Sequence, residues 1–292
     1  MKQFFLAIAL LFALMVPVCA VADERGWDDP HAPYNVMGNV WYVGTRGIGV
    51  YLITTPQGHI LIDGATEKGA KVVEANIVSL GFKLKDIKYI VETHAHWYHV
   101  GGLAKLKADT GAIFIASAGD RYGLEHGVHV GDNVYGGGSF PAIAADREIG
   151  EGGTLTLGVV VLTAHMTPGH TRGCTSWTMV VDDKGVSRTV IFFGSTSIAG
   201  NVLVGNKAYP GIADDYRLSL KRLKATKADV FLVNHPELAD MDVKRAAQVA
   251  GKPDAFVDPR ALPAFIKESE ADFNTELAKA RRKATGRKGT AQ

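Results

Sequence analysis

The stretch Thr93-His94-Ala95-His96-Trp97-Tyr98-His99 places three imidazoles within six residues. Neutral imidazole is a favoured zinc ligand, because its unprotonated ring nitrogen offers a lone pair near neutral pH. His94 and His96 lie two apart at the end of an apolar run, where alternating strand side chains point the same way. His99 follows where Gly101-Gly102 announces a turn. Two distant segments repeat the theme: Pro168-Gly169-His170-Thr171 and Asn234-His235-Pro236 each set a histidine in a turn after an apolar run. His94, His96, His99, His170 and His235 make five candidate ligands, enough for two metal ions. A surface histidine without metal is the competing reading of each segment taken alone. Three imidazoles around a zinc whose fourth position stays open form the arrangement of a catalytic zinc, one that activates water.

Such loops need a scaffold to bring them together. Val40–Val43, Gly49–Thr54 and His59–Asp63 are short runs rich in Val, Ile and Tyr, broken by Gly and by Pro56-Gln57-Gly58, and predict consecutive antiparallel strands. Glu67–Leu80 sets Val73, Ile77 and Leu80 on one helical face. Ile87–Glu92 predicts a buried strand running into the histidine cluster. Leu103–Lys107 predicts a helix, Ile113–Ala116 a strand and Asp120–Glu125 another helix, before a loop-like stretch over Gly127–Asp146 that contains Gly136-Gly137-Gly138. A second β set follows at Thr154–Leu157, Val159–Ala164, Thr175–Val181 and Thr189–Phe193. Asp214–Leu223 is then helical, Val230–Val233 a strand, and the remainder helical. Two sheets sandwiched between helices, an α+β arrangement, would satisfy this order.

The composition sets further bounds. The chain has 292 residues, 47% hydrophobic and 21% charged, an ordinary balance for one domain. A formal net charge of +2 points to no polyanionic partner such as a nucleic acid. The basic run Lys279, Arg281, Arg282, Lys283, Arg287, Lys288 is expected to be a solvated helix end. Residues 1–22 have the form of a signal peptide: Lys2, an apolar core from Phe4 to Val16, and Ala20-Val21-Ala22 before the expected cleavage at Asp23. That leaves a single domain over residues 23–292, exported to the periplasm or secreted, with no stable membrane anchor once the leader is removed. Cys19 departs with the leader, so Cys174 has no intrachain partner.

Taken together, these segments resemble the metallo-β-lactamase superfamily, whose signature is His-x-His-x-Asp-His followed by two distant histidines. The chain is most similar to the third subclass of class B β-lactamases. The resemblance rests on Leu61-Ile62-Asp63-Gly64, the His94–Gly102 segment, Thr167–His170, Gly194–Ser197 and His235-Pro236. It implies a four-layer αβ/βα sandwich and a zinc-dependent hydrolase that opens the β-lactam ring of a small-molecule substrate by attack of a zinc-bound hydroxide. It implies that His94, His96 and His170 hold the first zinc and that His99 and His235 belong to the second. It assigns Asp63 to orienting a ligand histidine from behind, and Ser195 and Ser197 to holding the substrate carboxylate. His31, His59, His126, His129 and His165 receive no metal role; His126 and His129, near the glycine loop, either border the cleft or, the favoured reading, face solvent.

The chain departs from the pattern at one position. The family's second-site aspartate is Tyr98 here. A carboxylate is charged at neutral pH, whereas a free phenol titrates near pH ~10, so Tyr98 ligates only by losing its proton to the metal's field. Three outcomes stay open. The three-histidine zinc works alone, with reduced lactamase activity and Tyr98 beside it in the catalytic centre; a Tyr98 phenolate replaces the carboxylate in a two-zinc site; or the ring blocks the second site and leaves a zinc-binding protein of little turnover. One tightly bound zinc is expected, with the second in doubt. The rival functions are another hydrolase of this fold, a lactonase or thioesterase, and a catalytically weak zinc-binding protein.

Overall fold

The computed structural model describes residues 26–133 and 139–289. The leader at 1–22 and Gly136-Gly137-Gly138 lie outside the described residues. Tyr34–Met37 (β1), Val40–Tyr42 (β2), Tyr51–Thr55 (β3), Gly58–Ile62 (β4), Ile87–Val91 (β5), Ile113–Ser117 (β6) and Arg147–Ile149 (β7) form one sheet in that order. Thr154–Leu157 (β8), Val160–Met166 (β9), Thr175–Asp183 (β10), Val186–Phe193 (β11) and Val230–Val233 (β12) form the second, ordered β12-β11-β10-β9-β8. The helices are Ala70–Ser79 (α1), Trp97–Val100 (α2), Leu103–Thr110 (α3), Arg121–His126 (α4), Ile212–Ala225 (α5), Met241–Val249 (α6) and Ala261–Gly289 (α7). Among the described residues no helix is long and apolar enough to cross a membrane.

Strand alternation assigns the two faces of the first sheet. Tyr51, Ile53, Ile60, Ile62, Val91 and Ile115 join an apolar cluster shared with the second sheet and with α5 and α7. Their neighbours Leu52, Leu61, Ile90, Phe114 and Ala116 pack on the other side with Val73 and Ile77 of α1 and Leu103 and Leu106 of α3. Because side chains alternate, one strand serves both cores. In α5 the residues Ile212, Tyr216, Leu220 and Leu223 recur at helical spacing and face the shared core. Asp214 and Asp215 in its first turn and Arg222 and Lys224 in its last complement the helix dipole. The architecture is the α+β fold of two sheets and helices that the sequence predicts.

The expected strands all appear, with ends shifted by at most three residues. Three short elements were not anticipated: β1, α2 and β7. The β10–β11 hairpin closes on Lys184 and Gly185, both at positive φ (56° and 85°), the turn that matches strand twist.

Strand direction decides where the chemistry sits. β4 and β5 run parallel, as do β11 and β12. β9 is antiparallel to β10, which is antiparallel to β11, so β9, β11 and β12 share a direction. The loops that leave their C-terminal ends carry Asp63, His94–His96, His170, Ser195–Ser197 and His235 to one edge of the sandwich. Cross-sheet hydrogen bonds close that edge: Tyr51 Oη donates to the Val233 carbonyl at 2.6 Å, Thr175 N–H to that of Thr93 at 2.7 Å, and Trp177 Nε1–H to that of Glu92 at 3.0 Å.

Candidate metal centre

The five expected histidines meet. Ring centroids of His94 and His170 are 4.5 Å apart, His96 and His170 4.5 Å, His94 and His96 4.9 Å, His94 and His99 4.4 Å, and His99 and His235 4.9 Å. Each of His94, His96 and His170 offers a ring nitrogen, and these nitrogens all lie within 4.8 Å of one another.

The local geometry behind His94 and His96 differs from the strand argument. β5 stops at Val91, and the His96 amide donates back to the His94 carbonyl at 2.9 Å, so the pair converges through a tight turn. α2 starts directly after it and brings His99 underneath. On the other loop, Gly169 has φ 134°, and a Cβ there would sit 2.8 Å from the Tyr216 ring. Only glycine admits this backbone so close to an aromatic wall, and it is what turns His170 inward.

Hydrogen bonds set the tautomers of two candidate ligands. His170 Nδ1 lies 2.6 Å from the Ser197 carbonyl, which only accepts, so Nδ1 carries the proton and Nε2 keeps a lone pair. His94 Nδ1 lies 3.3 Å from Thr93 Oγ1, whose own proton goes to Asp63 Oδ2 at 2.8 Å, so Nδ1–H donates there too. The two Nε2 lone pairs then face each other at 3.1 Å. Opposed lone pairs at that distance repel unless a cation sits between them, and so the donor set fits a metal such as zinc. His96 Nδ1 lies 2.9 Å from the Tyr98 hydroxyl.

Burial keeps the cluster in its ligating form. It is the main force holding His94, His96 and His99 well below the ordinary imidazole range, with neighbouring imidazoles adding to it. His170 and His235 fall to about 4 for the same principal reason, against hydrogen bonds to the backbone of Ser197 and Gly47. All five are therefore neutral near pH 7, with lone pairs available.

Asp63 acts one step further back than expected. Its Oδ1 accepts the Thr93 amide at 2.7 Å and its Oδ2 the Thr93 hydroxyl, so it reaches His94 through Thr93. Burial pushes its carboxyl up to about 7, against these two bonds. Asn234 Nδ2 donates to Thr93 Oγ1 and to the Gly194 carbonyl, both at 3.0 Å, tying three loops together.

The second half of the centre is built differently. Tyr98 is buried, with its ring 4.5 Å from His99, 5.4 Å from His235 and 4.6 Å from Trp27. Both ring nitrogens of His99 are buried without a hydrogen-bond partner. His235 Nδ1 stands 3.8 Å from Glu237.

A cavity of about 760 Å³ opens above this floor. Trp27, Tyr98, His170 and His235 line its base, Ser195 and Ser197 one side, and Glu268, Asp272 and Glu276 of α7 another. The Ser195 hydroxyl accepts the Ser197 amide at 3.1 Å, so this turn is braced.

Three participants escaped sequence reasoning. His129, expected in solvent, is half-buried with its ring 5.1 Å from His96 and 5.7 Å from Phe140, and burial lowers it to about 4. The fold brings His129 against His96, which local polarity does not reveal; His126 does stay exposed, stacked on Tyr122 at 4.2 Å. Trp27 is the second. Asp120 is the third, a buried carboxylate bonded to both ligand loops. Its signal was position alone, an acidic residue just past the C-terminal end of β6.

Comparison with known proteins agrees with this geometry. The family model described as the metallo-beta-lactamase superfamily matches residues 43–235. Among solved structures, BJP-1, a subclass B3 metallo-beta-lactamase of Bradyrhizobium japonicum, is 44% identical, with 89% of this chain and 99% of that chain covered and a TM-score of 0.85. Native FEZ-1 metallo-beta-lactamase from Legionella gormanii is 37% identical, with 87% and 98% covered and a TM-score of 0.83. A hydroxyacylglutathione hydrolase of Rhodospirillum rubrum is 28% identical over 163 residues, 56% of this chain and 52% of that protein. The chain spans about half the length of the curated hydrolases of this name that it matches. Fold, ligand loops and family model converge, and the chain belongs to the metallo-beta-lactamase superfamily.

Proposed function

We propose that this protein hydrolyses β-lactams with a single zinc held by His94, His96 and His170. The observation that carries this reading is the convergence of those three imidazoles, two with their lone pairs facing each other at 3.1 Å, with His170 lining a cavity shared with Ser195 and Ser197. Zinc bound there supplies a Lewis acid and a water of lowered pKa. The protein's own residues do the rest. Ser195 and Ser197 offer hydroxyls to the substrate carboxylate and thereby present the lactam carbonyl to the histidine centre. Water's oxygen adds to the carbonyl carbon, the C–N bond of the ring breaks, and the nitrogen, still tethered to the opened product, takes up the proton that water gives up. Trp27 and Tyr98 form an apolar face that excludes bulk water from one side.

His99 and His235 remain where a second zinc would lie, but their third partner is a phenol directed at His96. A neutral hydroxyl is a poor substitute for a carboxylate, which supports one zinc per chain and reduced turnover. The leader at residues 1–22 supports export to the periplasm or beyond, as a single domain over 23–292.

The curated hydroxyacylglutathione hydrolases favour a second reading, cleavage of a thioester at the same centre. One experiment separates the two: zinc is counted per chain, and a chromogenic cephalosporin and an acylglutathione thioester are offered in turn, with and without chelator. Chelator-sensitive cephalosporin turnover at one zinc per chain is the expected result. Turnover of the thioester alone would replace this reading with the second, and turnover of neither would leave a zinc-binding protein.

A further inference from the structure

We infer that Asp120 is the positioning residue that fixes the separation of the two loops carrying the metal ligands. The inference rests on the three-histidine centre. Asp120 follows β6 and is buried at 4% exposure. Its Oδ2 accepts the Ala95 amide at 2.9 Å and the Thr171 hydroxyl at 2.7 Å, and its Oδ1 accepts the Gly173 amide at 2.8 Å. Ala95 lies between His94 and His96, and Thr171 directly follows His170. One carboxylate thus grips the turn that presents two ligands and the turn that presents the third, while touching none of the imidazoles.

The surrounding backbone is shaped for this grip. A Cβ on Gly173 would fall 2.0 Å from Ser117 Oγ and 2.6 Å from the Asp120 carboxyl carbon, and one on Gly119 would fall 2.5 Å from the Arg172 carbonyl. Ser117 Oγ donates to the Gly173 carbonyl at 2.8 Å. The β6–α4 corner therefore meets the 171–173 turn at a distance that only glycine allows. All three groups on Asp120 are donors, and charge-assisted bonds to a carboxylate are stronger than neutral ones. An amide in its place keeps one acceptor and turns a second N–H toward a donor.

The test is zinc affinity by competition with a chromogenic chelator, together with the visible spectrum of the Co²⁺ form, whose bands report coordination geometry. Asp120→Asn is expected to weaken zinc binding by about 10- to 100-fold and to shift the Co²⁺ bands. Asp146→Asn serves as the control: Asp146 caps the Phe114 amide at 2.8 Å and pairs with Lys107, away from the ligand loops, and its loss should leave both readouts unchanged. Should Asp120→Asn not fold, Thr171→Val is expected to weaken zinc binding by removing one of the three bonds, and Thr171→Ser to restore it. Wild-type affinity and spectrum in a folded Asp120→Asn protein, or in Thr171→Val, would overturn the inference. Failure of the wild type itself to bind Zn²⁺ or Co²⁺ would instead remove the three-histidine centre on which it rests.

Discussion

The two halves of the centre contain the same kind of side chain in opposite states of preparation. On one side, His170 and His94 have their outer nitrogens anchored, by the Ser197 carbonyl and by the Asp63–Thr93 relay, so their inner nitrogens are aimed before any metal arrives. On the other, His99 has no hydrogen bond on either nitrogen, His235 meets only the Gly47 backbone and Glu237 at 3.8 Å, and the residue between them is an aromatic ring packed at an angle against further aromatic rings. Imidazoles alone do not make a metal site. The groups that hold them do, because a ligand already oriented loses less freedom on binding and keeps the right tautomer.

The sharpest way to break this comparison is to remove one histidine from each half. In His170→Ala, zinc binding and chelator-sensitive hydrolysis should both be lost. Zinc at a hundredfold its Kd stabilises a protein by about 2.7 kcal/mol, or roughly 5–10 °C in a domain of this size. Differential scanning calorimetry should find this shift in the wild type and in His99→Ala, and none in His170→Ala. The reverse pattern would place the working metal in the half assigned here to Tyr98.

The next effect tests what Tyr98 withholds. Tyr98→Asp restores a charged ligand between His99 and His235, so metal analysis should rise from one zinc per chain to two. Cephalosporin turnover should rise on the order of tenfold, equivalent to about 1.4 kcal/mol in the barrier. A two-zinc Tyr98→Asp protein whose turnover is unchanged or lower would show that the tyrosine is not what limits the rate.

The contrast between halves also separates what the sequence discloses from what only the fold supplies. The five clustered histidines could be picked out as candidates, because each sits beside a turn signal after an apolar run, and strand periodicity marked the runs themselves. The anchors were not. Asp120 bonds to groups 25, 51 and 53 residues away, and Asn234 bonds to Thr93 across 141 residues. No local pattern announces such pairings. β1 was missed because Tyr34-Asn35-Val36-Met37 is too short to establish a period, and it exists because β2 pairs with it. His94 and His96 were placed correctly for a reason the structure replaces: a turn, where alternation along a strand had been the argument.

Trp27 carries the smallest expected effect. The arm that bears it is strapped down independently of its ring: Gly47 N–H donates to the Gly26 carbonyl at 2.8 Å, Thr45 Oγ1 to the Trp27 carbonyl at 2.7 Å and Arg46 N–H to the Asp29 carbonyl at 3.0 Å. Trp27→Ala therefore removes the indole from Tyr98 and from Trp97, 5.4 Å away, without releasing the arm. Aromatic pairs are worth about 0.5–1.5 kcal/mol beyond their buried area. In a double-mutant cycle with Tyr98→Asp, denaturant unfolding of the zinc-free proteins should return a Trp27–Tyr98 coupling of that size, while the zinc affinity of Trp27→Ala stays at the wild-type value. Zero coupling would mean that the contact with the indole does not hold Tyr98 in place. The tyrosine's position would then rest on its bond to His96, and the aromatic half of the centre would lean on the histidine half instead of standing apart from it.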